Sequence, residues 1–335
     1  MRLEERAISN AEGTILRHNI ADEQGKRVLK KGILLTPEHL AKLAALGRTS
    51  ISVAVLEAED VHEDQAASTL AEAMQRGPLF ASRPSGGRVN LRTRADGLLR
   101  VNTGRLIELN MLPGIALATR RQYSVVGPGQ GSDNVATLKI IPYAILRRHL
   151  EQALELAASR PGIVEVQPFQ PGRRVALLLV GEPAVQPKLR ASFEPPTRTR
   201  LERLGALLAT IEATTPEETA IAQAVTRLAG QVDLIIIAGQ TSVMDEEDTT
   251  LRALRRAGAT QTLSGAPVEP GNLLALAYLP GTPVMCAPGS AKGLKYNVVD
   301  MVLPRLLLGE RLDRRKLAEL ALGGFLTREE RASGQ

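Results

Sequence analysis

A chain of 335 residues with 44% hydrophobic and 23% charged content has the composition of a globular protein long enough to fold as two domains. A formal net charge of +6 with 2% aromatic residues, no tryptophan and basic residues interleaved with acidic ones, as in 311–316, argues against a nucleic-acid partner and for a small anionic ligand. The single cysteine, Cys286, excludes an intrachain disulfide framework, and the lack of a long apolar run or charged-then-apolar leader makes the cytoplasm the expected setting, with no membrane partner.

Taken in order, Thr36-Pro37-Glu38 predicts a capped helix with Leu40, Leu43 and Leu46 on one face and Gly47 as its stop, followed by a strand at 51–56. Asp60 is the expected cap of a second, alanine-rich helix that runs through Met74 to Gly77-Pro78. From Phe80 to Ile141 the chain reads as mostly β, with segments at 89–91, 97–101, 106–109, 123–126 and 136–141. Gly127-Pro128-Gly129-Gln130-Gly131 does not lie between a strand and a helix as a phosphate loop would, so it reads as a turn. Pro142 predicts the start of a helix whose apolar face includes Ile145, Leu150, Ala153 and Ala157, ended by Arg160-Pro161-Gly162.

Beyond Arg173, strands and helices alternate, which predicts βα units on a mostly parallel sheet. Strands are expected at 175–180, 206–211, 234–238, 273–279 and 283–287. Pro195-Pro196 is expected to interrupt one helical stretch, with a new helix from Thr197. Thr215-Pro216-Glu217-Glu218 matches a capping box, and another helix is expected over 249–258. The fold class that follows is α/β: a mostly parallel, doubly wound three-layer sheet at 173–324, preceded by a smaller α+β domain at 1–168 and followed by a tail at 325–335.

The run from Leu234 to Ala238 reads as a strand buried on both faces that delivers a polar loop, 239–248, to the edge where open α/β sheets bind ligands. A second, small and basic loop, 289–295, is expected to open a helix, where backbone amides attract phosphate. Together they suit a phosphorylated ligand with magnesium: Asp245 or Asp248 to hold the ion, Asp245 first, both as candidate catalytic carboxylates, and Gly239, Gln240, Thr241 and Ser242 contacting the ligand beside Gly289, Ser290, Lys292 and Lys295. Asp245 ranks ahead of Asp248, because an aspartate just before Thr249 is an ordinary helix cap. In Val268-Glu269-Pro270-Gly271-Asn272, Gly271 permits close approach while Glu269 and Asn272 can hydrogen-bond a heterocycle. The four histidines have no metal-ligand spacing, and Cys286 reads as a buried small hydrophobe. No G-x-S-x-G, GxxxxGK[ST] or GxGxxG motif occurs, which argues against a serine hydrolase, a phosphate-loop NTPase and a nicotinamide dehydrogenase.

The second half resembles the molybdopterin-binding domain of molybdenum-cofactor biosynthesis proteins of the MoeA/MogA type. The resemblance lies in Ala238-Gly239-Gln240-Thr241-Ser242 followed by Asp245, and in Glu269-Pro270-Gly271-Asn272 leading to Ala287-Pro288-Gly289-Ser290. Lys31-Gly32-Ile33-Leu34-Leu35 and 53–63 are similar to the region before that domain in some members, and the layout looks most like a stand-alone subgroup. It implies a cytoplasmic, homo-oligomeric protein that binds molybdopterin, or its adenylated or molybdenum-loaded form, with a molybdoenzyme or nucleotidyltransferase as protein partner. An enzyme of this kind would act as an adenylyltransferase or molybdotransferase. Gln240 stands where the family has its second glycine, a difference that bears on whether the domain is catalytic. A non-catalytic cofactor carrier and a nucleotide-binding hydrolase of related fold are the alternatives.

Overall fold

A computed structural model describes residues 1–333 and divides them into two units: Met1–Ala95, Leu99–Gln122 and Val126–Val166 form one, while Asp96–Leu98, Tyr123–Val125 and the chain from Gln167 form the other. Gly334 and Gln335, the end of the expected tail, lie outside the described residues.

In the first unit, Ser50–Val55 pairs antiparallel with both Arg2–Ala7 and Ile15–Leu16, and Leu16, Leu35, Leu43 and Val53 share a core with the helix Pro37–Ala45. That helix begins at Thr36, whose backbone amide donates to Nδ1 of His39 at 3.2 Å. The next helix, Glu63–Ala73, is capped by His62 rather than Asp60, since Asp60–His62 is committed to a short strand against Ala144–Leu146. The same pairing delays the helix expected at Pro142, which runs over Arg147–Ala158. Residues 106–109 are helical, not β. They lie in Thr103–Met111, nucleated where the Asn102 side chain accepts from the Arg105 amide at 3.2 Å. The antiparallel core sheet is built on Arg88–Thr93, Asn134–Ile140 and Ile115–Thr119, and only Val125–Val126 of the expected strand at 123–126 is extended.

The second unit is mixed α/β around one parallel-rich sheet. Its strand order is Leu207–Thr214, Arg174–Val180, Leu234–Gly239, Thr282–Cys286, Ala275–Leu279 and Gln261–Ser264; the first four run parallel, and Ala275–Leu279 pairs antiparallel with both of its neighbours. Burial on both faces explains the continuous apolar run. Leu234, Ile236 and Ala238 enter one core with Phe193, Leu201, Val298 and Val302, while Ile235 and Ile237 enter another with Ile221, Val225, Leu251 and Leu254.

Three local expectations fail here. Gln186–Arg203 is a single helix that runs through Pro195 and Pro196. Interior prolines normally cost about 3 kcal/mol, yet Leu189, Phe193, Pro196, Thr197, Arg200 and Leu201 are buried along this helix, so packing outweighs the breaker. Glu218–Leu228 starts without the predicted capping box, because the Thr215 hydroxyl donates to the Glu217 carboxylate at 3.3 Å instead of accepting a backbone amide. The loop after Cys286 opens with a short 3-10 turn, Gly289–Lys292, and the helix Val298–Leu307 begins only after Asn297.

Candidate functional site

Parallel neighbours on both sides fix the carboxyl end of Leu234–Gly239, and the Gln240 amide extends that pairing by donating to the Val180 carbonyl at 3.1 Å. At Gly239 the chain folds back so closely that a Cβ would stand 2.6 Å from the Thr241 carbonyl oxygen, which no side chain tolerates. The turn exposes Gln240 and Thr241 and directs Ser242 across to the neighbouring loop, where its hydroxyl accepts from the Gly289 amide at 3.1 Å.

A third loop meets the same place. Gly271 has φ +127, a Cβ there would collide with Val298, and it would come within 3.4 Å of Ser290 Oγ. The close approach that Gly271 permits is therefore to Ser290 and Val298. Ser290 Oγ is solvent-inaccessible and has no hydrogen-bond partner among the described residues, a polar atom placed where the three loops converge. Glu269 and Asn272 flank Gly271 with exposed side chains.

The Gly289–Lys292 turn is held from inside. Arg200, 5% exposed, pairs with Asp300 (Nε to Oδ1 2.9 Å) and donates to the carbonyls of Ala291 at 3.1 Å and Gly293 at 2.7 Å. Asn297 donates from Nδ2 to the Lys295 carbonyl at 2.8 Å and the Ser290 carbonyl at 3.3 Å, and its own amide donates to Asp300 at 3.0 Å. The amides of Ala291 and Gly293 donate to Pro288 and Ser290 carbonyls. Of the loop amides expected to draw phosphate, those of Gly289, Ala291 and Gly293 are thus already engaged, and lysine side chains add positive charge. Lys292 lies with Nζ 5.3 Å from the Phe193 ring centroid, while Lys295 is exposed.

The acidic loop is held differently. Asp248 accepts from the Thr250 amide at 2.8 Å and caps the helix Thr249–Arg256, with Met244 N at 3.4 Å from its second oxygen. Asp245 accepts from the Glu247 amide at 2.8 Å and is exposed. Among the described residues no group of three or more His, Cys, Asp or Glu is placed to hold a metal. Magnesium commonly uses one or two carboxylates with ligand phosphates and water, so an exposed single carboxylate such as Asp245 fits that mode of binding and not an all-protein cage. Cys286 is buried, and burial, with a contribution from Asp248, pushes its thiol up to about 12.

The structure thus brings together Gly239, Ser242, Gly271, Gly289 and Ser290, and sets Lys292 against Phe193. Sequence reasoning passed over Arg200, Asn297 and Asp300. Asn297-x-x-Asp300 has capping-box spacing and was legible in principle; Arg200 pairs with a residue 100 positions away, and no local pattern announces that. No helix among the described residues is long and apolar enough to cross a membrane.

Residues 176–307 match a family model described as a probable molybdopterin binding domain, and residues 5–55 match a domain of unknown function, DUF8806. No curated protein matches the sequence. Similar solved structures include the molybdopterin biosynthesis enzyme MoaB of Thermus thermophilus, at 19% identity and TM-score 0.33 over 42% of this chain and 99% of that one. The molybdopterin biosynthesis MoeA protein of Pyrococcus horikoshii matches at 13% identity and TM-score 0.31 over 94% of this chain and 75% of that one. CinA of Thermoplasma acidophilum, a protein of unknown function, matches at 13% identity and TM-score 0.31 over 37% of this chain and 92% of that one.

Proposed function

The chain carries a domain of the molybdopterin-binding family over residues 176–307, and from that premise we propose that it binds molybdopterin, in its free, adenylated or molybdenum-loaded form, as a cytoplasmic, oligomeric component of molybdenum-cofactor biosynthesis. We read the second unit as a doubly wound layout whose carboxyl edge holds the ligand. The observation that carries the proposal is the convergence of three loops there: Ser242 bonded to Gly289, and Gly271 against Ser290, whose hydroxyl has no partner among the described residues. In this reading Thr241, Ser242 and Lys295 contact the ligand phosphate beside Ser290, whose inward hydroxyl would reach it only by turning outward, Glu269 and Asn272 face its heterocycle, and Asp245 meets a phosphate-bound magnesium, which would offset phosphate charge.

Protein titrated with molybdopterin reports binding through pterin fluorescence against a background free of tryptophan. Binding that weakens in Asp245→Ala and Lys295→Ala supports the assignment; unchanged affinity in both refutes the site, and no binding by the wild type refutes the function. Incubation with ATP, magnesium and molybdopterin then separates an adenylyltransferase, which releases pyrophosphate, from a carrier for a molybdoenzyme, which does not.

A further inference from the structure

Phe325 is 78% exposed, although the residues around it are fixed. Leu320 and Leu326 are buried in the core of the second unit, and Gly324 passes so close to Pro267 and Leu320 that a Cβ there would collide with both carbonyl oxygens. The segment is bonded to the third ligand loop: the Glu269 amide donates to the Gly324 carbonyl at 2.8 Å, and the Leu326 amide donates to the Glu269 carbonyl at 2.9 Å. These two bonds form a parallel bridge that sets Phe325 opposite Glu269. Paired residues of parallel strands put their side chains on the same face. Phe325 therefore shares a face with Glu269, two residues before Gly271, which lies against the Ser290 hydroxyl, a group without a hydrogen-bond partner among the described residues.

We propose that Phe325 is the stacking surface for the aromatic ring system of the ligand held by the three loops. This rests on the phosphorylated-pterin reading above and adds a contact that reads the ring and not the phosphate. An exposed ring on an anchored backbone offers a π-face with only its side-chain torsions left to order, and a planar heterocycle is the partner that uses one. Among the chain's four phenylalanines only Phe325 is exposed to this degree.

The test compares wild type, Phe325→Ala and Phe325→Trp with two probes: neopterin monophosphate, which has ring and phosphate, and ribose 5-phosphate, which has phosphate without the ring. Phe325→Ala is expected to weaken neopterin monophosphate roughly tenfold and to leave ribose 5-phosphate unchanged. Phe325→Trp supplies the protein's sole tryptophan, whose emission should be quenched by neopterin monophosphate and not by ribose 5-phosphate. Wild-type binding with no change in Phe325→Ala overturns the stacking role and leaves the binding reading standing. Equal weakening of both probes, or a change only in sedimentation that marks Phe325 as a contact between copies of the chain, also overturns it. A wild type that binds neither probe overturns this inference, and the functional reading falls with it only if molybdopterin also fails to bind.

Discussion

The turn after Cys286 and the loop after Gly239 are joined by the bond from the Gly289 amide to Ser242, but one is held by a buried arginine and the other by surface contacts. The first is gripped by buried Arg200, whose guanidinium engages Asp300 and two turn carbonyls while Asn297 takes two more. The second is exposed from Met244 to Glu247 and is held by local bonds to Asp245 and Asp248 and, at the surface, by Arg252 donating to the Glu247 carbonyl and Arg255 donating to the Glu246 carbonyl at 2.8 Å. A turn fixed by a buried ion pair has little left to order, whereas a loop held by exposed contacts keeps freedom to adjust. Substitutions in the first should therefore act mainly on stability, and substitutions at the tip of the second mainly on affinity.

The largest effect is expected from Arg200→Met, which leaves Asp300 without its cation in a largely buried position: a loss of about 3–5 kcal/mol in chemical denaturation. A loss below about 1 kcal/mol would mean that the pair does not carry the turn. Gly271→Ala places a side chain against Val298 at φ +127 and is expected to cost about 2 kcal/mol; a neutral result would remove the tight contact between the second and third loops. Asp248→Ala should cost about 1 kcal/mol as a lost cap, with Asp248→Asn retaining most of it. Asp245→Ala should change stability by less than about 0.5 kcal/mol, while magnesium-dependent affinity for a phosphorylated pterin falls roughly tenfold. Equal losses of stability at Asp245 and Arg200 would erase the contrast between the two loops.

Cys286 gives the comparison a pH axis, since its strand leads into the gripped turn. Its folded thiol is raised to about 12 from an ordinary value of 9.0, so the unfolded chain releases this proton first. The stabilisation is present below the ordinary value and is lost as pH rises above it toward the folded value. Denaturation midpoints between neutral and alkaline pH should fall more steeply for wild type than for Cys286→Ala; parallel curves would mean that the thiol is not shielded.

The central strand was legible because five apolar residues from Leu234 to Ala238 suit no surface and are too few for a membrane span. The loops at its edge followed from strand direction and from Gly239 and Gly289. Pro195 and Pro196 were misread because a local breaker rule does not see the buried face of Gln186–Arg203. The helix at 103–111 was missed where a cap from Asn102 outweighs a short apolar run that looks extended. Arg200 was invisible because its role is defined only once Asp300 has been folded onto it. In each miss the deciding contact lies outside the window that carried the local signal.

The most direct test of the central claim is a fluorescence titration of the wild-type protein with molybdopterin, run with and without nucleotide competitors. Saturable binding that weakens in Lys295→Ala and in Asp245→Ala, with each variant retaining wild-type stability, is the predicted result. Absence of saturable pterin binding by a folded wild-type protein would contradict the account.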